Sequence, residues 1–185
     1  MNERYQMKNH NNILRLITSS VCLALAFVLP FLTGQIPEVG SMLLPMHIPV
    51  LLCGFLCGWR WGLGVGLIAP LTRSFILGKP ILFPNAVCMA FELGVYGLVS
   101  GLMHKLLPKK KAYIYVSLLT SMALGRILWG IVMAICMGIE GKAFTLGIFV
   151  TQAITSAIPG IIIQIILIPI LVMALESRTK LKLND

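Results

Sequence analysis

The chain has 185 residues, of which 58% are hydrophobic and 11% charged, and its formal net charge is +9. A soluble fold of this size cannot hide so much apolar surface in one core, so a soluble globular domain is excluded. The positive charge sits in loops and ends, not on one face of a soluble domain, which argues against nucleic acid as its partner.

Residues 16–37 and 143–175 carry no charge. A bilayer span needs about 20 mostly apolar residues, and both runs exceed that. Within lipid the backbone must satisfy its own hydrogen bonds, which leaves helices or a closed barrel. The runs are continuous rather than alternating, so the chain reads as an all-α membrane protein. The first run is long and no small-residue cleavage site follows it, so it reads as a span and not as a signal peptide.

In chain order, the first span is predicted at 13–33, followed by a loop at 34–43 with Pro37, Glu38 and Gly40. Residues 44–77 are too long for one span, and Trp59, Arg60 and Trp61 interrupt them. They read as two short helices, 44–57 and 61–77, turning at that tripeptide. A loop at Gly78, Lys79 and Pro80 leads to a fourth span at 82–104, which a basic stop at 105–111 ends. The fifth span is predicted at 113–137 and the sixth at 146–175, the latter long enough to tilt. This divides the chain into a cytoplasmic tail (1–12), a six-helix transmembrane domain (13–176) and a second cytoplasmic tail (177–185).

Charge sets the expected orientation. With the N-terminus inside, the cytoplasmic segments hold Arg4, Lys8, Arg15, Arg60, the basic residues of 105–111, Arg178, Lys180 and Lys182. The outer loops hold only Lys79 and Lys142, beside Glu38 and Glu140. Both basic termini should be inside, which requires an even number of spans. Six fits; four remains open if 44–77 form a re-entrant hairpin.

Arg73, Glu92 and Arg126 fall within predicted spans, where each is costly and needs a partner or a wet cavity. Two readings stay open: a structural Glu92–Arg126 ion pair that pins two helices, or a pocket opening outward and lined by Arg73, or by Arg126 with Glu92. His47, Asn85, Trp129, Gln152, Thr151 and Thr155 are expected in the same outer half. Singly, each reads as an interfacial or structural residue. Together they suggest a cavity entered from outside and closed below. The inner half is nearly pure aliphatic, with Gln164 the main exception, expected to hydrogen-bond between helices.

Gly54, Gly58, Gly62 and Gly66 recur every four residues, a spacing that lets helices approach closely. Ser20 with Ala24 and Cys22 with Ala26 form similar pairs on the first span. The cysteines (Cys22, Cys53, Cys57, Cys88 and Cys136) all lie in apolar runs and read as packing residues, with no metal set expected. Paired-carboxylate, HExxH, GxSxG and P-loop motifs are all missing, so neither an enzyme nor an ATP-driven machine is expected, and no cofactor.

One string of residues is more specific. Leu44-Pro45-Met46-His47-Ile48-Pro49-Val50-Leu51-Leu52-Cys53-Gly54, then Gly62-Leu63-Gly64-Val65-Gly66 and Pro70-Leu71-Thr72-Arg73, resembles the substrate-binding (S) components of energy-coupling factor (ECF) vitamin transporters. Phe83-Pro84-Asn85-Ala86, Phe91-Glu92-Leu93 and Tyr96-Gly97-Leu98-Val99-Ser100-Gly101-Leu102 continue the likeness, over roughly residues 13–175. The resemblance implies an S-component-like bundle of six helices with both ends inside. It further implies a vitamin pocket near the outer surface, covered in part by the first loop. A membrane coupling subunit and two ATPases would be its partners, with the coupling subunit meeting an Ala-xxx-Ala pattern on the first helix. Here the matching positions are Ser20/Ala24 or Cys22/Ala26, neither of them Ala/Ala.

The expected substrate-binding set is therefore His47, Arg73, Asn85, Glu92, Arg126, Trp129 and Gln152. Arg73 and Arg126 suit an anion such as pantothenate through charge-assisted hydrogen bonds, which this reading favours. Glu92 and Trp129 suit a pyridoxine-like or thiamine-like ring instead. The competing reading is an assembly or interaction protein whose buried charges only staple helices. A self-sufficient channel or carrier comes third, because the inner half is apolar.

Overall fold

The computed structural model describes residues 2–33, 42–108 and 110–179. Most of the predicted first loop (34–41), Lys109, and Lys180 and Lys182 of the C-terminal tail lie outside them. Among the described residues every regular element is helical. Helix α1 spans Asn2–Val28 and tightens into a 3-10 turn, Leu29–Thr33. Helix α2 spans His47–Cys57 and α3 Trp59–Leu77. A wide turn, Leu82–Ala86, leads into α4, Val87–Leu106. Helix α5 spans Lys111–Ile139. The last predicted span is built in pieces: a short α6, Leu146–Val150, a wide turn, Thr151–Thr155, and α7, Ile158–Thr179.

One predicted boundary moves, that between α2 and α3; the residues of the expected tail are helical, α1 being continuous from Asn2. The break between α2 and α3 falls at Gly58, and Trp59, Arg60 and Trp61 form the first turn of α3 instead of a turn between helices. Gly58 adopts φ 93°, ψ 170°, a conformation that costs a residue with a Cβ steric strain. None of the three residues of the tripeptide can take it cheaply, so the chain reverses one residue earlier.

Four helical segments are long and apolar enough to cross a membrane among the described residues: His10–Leu32, Leu82–Leu106, Lys111–Ile139 and Ile158–Ser177. Their outward residues are large and apolar. Val21, Leu25 and Val28 on α1, Ile127, Ile131 and Ile135 on α5, and Ile162, Ile166 and Ile170 on α7 are all exposed. They recur at three- or four-residue spacing, a helical stripe that suits lipid and not water.

Helix α2 is different. At 11 residues it rises only about 16 Å, half the roughly 30 Å hydrocarbon thickness. It is apolar all round because it is buried all round. One side packs Val50, Cys53 and Cys57 against Cys22 and Ala26 of α1, Val65 and Ala69 of α3, and Leu93 of α4. The other packs Leu51 and Phe55 against Tyr96 of α4, Leu118 and Met122 of α5, and Ile168 and Val172 of α7.

The glycine run makes this packing possible. A Cβ at Gly54 or at Gly62 would stand 2.6 Å from the Gly97 carbonyl oxygen, closer than any real carbon tolerates. Helices α2, α3 and α4 therefore meet backbone to backbone on these glycines. At the far end, His104 of α4 meets Glu176 of α7 at 2.7 Å and stacks edge-on against Phe55, tying the last turns of both helices together.

Candidate functional site

The polar centre is built on three helices. His47 is the first residue of α2, Glu92 lies in the first half of α4, and Arg126 is near the middle of α5. One carboxylate oxygen, Glu92 Oε1, is 3.0 Å from Arg126 Nη1 and 3.5 Å from His47 Nε2. Glu92 and His47 are 2% and 1% exposed at the side chain and Arg126 is 14% exposed, so all three sit largely inside the bundle.

Tyr96 completes the group. It stands one helical turn past Glu92 on the same face of α4. Its ring meets the His47 imidazole edge-on at 5.3 Å. Gly125, beside Arg126, makes room for it, since a Cβ there would run into the Tyr96 ring. Sequence reasoning left Tyr96 inside a motif string without a role. Its i+4 offset from a buried glutamate was the signal that could have found it.

The cluster is paired in charge but not in hydrogen bonds. Glu92 Oε1, both His47 ring nitrogens, Arg126 Nε and Nη2, and the Tyr96 hydroxyl are buried and make no well-formed hydrogen bond, while the Glu92 carboxylate interacts with Arg126, His47 and Tyr96. Buried polar groups are satisfied in nine cases of ten or more, and each orphan costs about 1–3 kcal/mol. Gln164 of α7 adds two more: fully buried, its amide oxygen and nitrogen both lack partners. The expected interhelical hydrogen bond at Gln164 is not made.

The other predicted residues make contacts of their own. Arg73 is buried, but its Nη1 donates to the Phe27 carbonyl at 2.8 Å and its guanidinium lies 5.4 Å from the Phe31 ring centre. It ties α3 to the end of α1. Trp129, a turn beyond Arg126, packs with Phe144 and Phe149 at 6.3 Å each and with Cys88 and Met133. Asn85 and Gln152 are exposed, in the turns before α4 and α7. The two pairs on α1 separate cleanly: Ser20 and Ala24 are exposed, whereas Cys22 and Ala26 are buried in the contact with α2.

The family model of the ECF transporter, substrate-specific component, matches residues 14–172. No curated protein and no solved structure gives a significant match. The matched segment takes in α2 to α6 whole and the greater part of α1 and α7, with the Glu92–Arg126 centre and the glycine contact. The chain belongs to the substrate-specific components of ECF transporters, which are multi-pass membrane subunits that bind a transported solute and are not enzymes.

Proposed function

We propose that this substrate-specific component captures a vitamin or related micronutrient from the outer face of the cell membrane, at a site centred on Glu92, Arg126, His47 and Tyr96. The observation that carries this is the set of buried, hydrogen-bond-poor polar atoms in an otherwise aliphatic bundle. A ligand with donors and acceptors on its edges would satisfy them together. Trp129 would wall the site beside Arg126, and Gln164 would reach it from α7. Arg73, Asn85 and Gln152 would act at its margin.

Charge distribution supports both termini in the cytoplasm and an even number of spans; six are expected, with α2, half the hydrocarbon thickness in length, a short second one before α3. Family membership implies an ECF membrane subunit and ATPase subunits as partners; two ATPases are the expected number. Ser20 and Ala24 are the pair we assign to the coupling-subunit contact, because they are the exposed one.

Pantothenate is the first candidate, through Arg126 and Arg73. Its carboxylate would have to share Arg126 with Glu92, 3.0 Å away. A pyridoxine-like or thiamine-like ring would instead meet Glu92 directly, stacked near Trp129. A thermal-shift panel of vitamins on the purified chain separates these. Ligand at a hundred times its Kd stabilises the folded state by about 2.7 kcal/mol. A panel in which no micronutrient raises the melting temperature overturns the proposal, and mass spectrometry of the protein as purified names any co-purifying solute.

A further inference from the structure

The polar residues of the centre follow one rule of register. Residues four apart share a helix face and stand about 6 Å apart along the axis. His47 is four residues from Leu51, Glu92 four from Tyr96, and Arg126 four from Met122. Leu51, Tyr96 and Met122 belong to one buried cluster, to which α7 contributes Ile168. Helix α7 runs in the same direction as α2 and α4, because His104 near the end of α4 meets both Phe55 of α2 and Glu176 of α7. Four residues from Ile168, toward the side of the cluster where His47, Glu92 and Arg126 stand, is Gln164. Register therefore puts Gln164 in the same polar layer, to which α2, α4, α5 and α7 each give one residue.

Gln164 differs from the other three. It is uncharged and wholly buried, and both its amide oxygen and its amide nitrogen lack a hydrogen-bond partner among the described residues. Glu92 and Arg126 neutralise each other at 3.0 Å, whereas the Gln164 amide has no such complement. That amide offers an acceptor and two donors side by side. A carboxylate would meet only its N–H groups and would set oxygen against oxygen. A group with its own N–H and acceptor side by side meets both atoms at once. We infer that Gln164 determines specificity by recognising an uncharged amide-type edge of the transported solute: a lactam, a cyclic urea or imide, or an aminopyrimidine. This assignment rests on the Glu92 centre being the solute site and divides the labour within it. Glu92 and Arg126 meet the charged or polarised part of the solute, and Gln164 reads a neutral edge. A buried site made to pair with such an edge rejects solutes without it, because its own polar atoms are then left unpaired. Pantothenate, whose amide is trans, can meet Gln164 through one hydrogen bond. A thiamine-like aminopyrimidine can make two.

The test uses the purified full-length chain, with melting curves and titrations against thiamine, biotin and riboflavin, which carry such edges, and against pantothenate and pyridoxine. Gln164→Met keeps the side-chain volume and removes the amide. A solute that makes two bonds should bind the variant about thirtyfold more weakly than wild type, and pantothenate, through one, about fivefold more weakly. The ligand-free variant should melt no lower than wild type, because no hydrogen bond inside the protein is lost. Gln164→Leu repeats the comparison with a second apolar residue, in case Met packs poorly. Equal affinity in wild type and both variants overturns the assignment of Gln164 and leaves the solute site standing. A lower melting temperature in both ligand-free variants does the same, since the amide would then pair within the protein. So does stabilisation of wild type by pyridoxine alone, which has no amide-type group. Absence of stabilisation by any of these solutes overturns both the assignment and the reading of the centre as a solute site.

Discussion

Arg126 Nη1 stands 3.0 Å from Glu92 Oε1, an ion pair between the first half of α4 and the middle of α5 inside a membrane bundle. The pair serves two ends at once. It neutralises two charges that the bilayer would otherwise penalise, and it leaves Arg126 Nε and Nη2 directed at no protein acceptor. Removing one partner strands the other: Glu92→Gln or Arg126→Met should cost about 3–5 kcal/mol of stability, read as a fall in melting temperature. The double variant, Glu92→Leu with Arg126→Met, should regain most of that, because buried pairs are often replaceable by apolar residues. Substrate binding decides the role. Loss of binding in the stable double variant is the expected result; retained binding would make the pair a staple only.

Tyr96→Phe separates binding from folding more cleanly. The hydroxyl is buried without a well-formed hydrogen bond, so its removal should not lower the melting temperature of the ligand-free chain and should raise it by up to the ~1–3 kcal/mol that an unsatisfied buried group costs. If it meets substrate, Kd should rise about fivefold, the worth of one net hydrogen bond of about 1 kcal/mol. A titration of the variant against the vitamin identified in the panel provides the number, and an unchanged Kd removes Tyr96 from the site.

Much of the architecture was legible because lipid simplifies the code. Uncharged runs, basic stops and Gly-Lys-Pro loops placed the long helices within a few residues, as at 82–104 against Leu82–Leu106 and 113–137 against Lys111–Ile139. The α2–α3 break was misplaced because Trp59-Arg60-Trp61 looks like an interfacial turn, whereas the deciding property was the positive φ that Gly58 alone could supply. At the site, buried charge flagged Glu92 and Arg126 correctly as neighbours. Position along a helix could not say which way a side chain turns about it. Arg73 therefore reads like Arg126 in sequence yet points to Phe27 on α1, and Tyr96 passes for an ordinary core aromatic.

The glycine contact predicts opposite outcomes two residues apart. Gly62→Ala forces a Cβ against the Gly97 carbonyl and the Gly54 Cα, both backbone and unable to yield. It should destabilise by about 1–3 kcal/mol, as overpacking does. Gly64→Ala meets nothing within 4 Å, so helix propensity alone acts and the variant should be neutral or gain up to about 1 kcal/mol. Melting curves of the two variants side by side check this, and a like fall in both would argue against the packed α2–α3–α4 contact.

Assembly with the ECF membrane subunit should discriminate the two small-residue pairs on α1. Each pair has i, i+4 spacing, and the pairs are offset by two residues. At 3.6 residues per turn that is about 200°, so they lie on opposite faces of the helix. Cys22 and Ala26 face α2 and are 5% and 0% exposed; a larger side chain there has to push the core apart. Ala26→Leu should therefore lower the melting temperature of the isolated chain by an amount corresponding to about 1–3 kcal/mol. Ser20 and Ala24 face outward, and the Ser20 hydroxyl is already satisfied by the Leu16 carbonyl at 2.9 Å, so nothing inside the chain depends on their size. Ala24→Phe should leave the isolated chain as stable as before while blocking close approach of a partner helix. Co-purification with the ECF membrane and ATPase subunits should then fall sharply. An intact complex in Ala24→Phe would place the coupling contact on another face of the bundle.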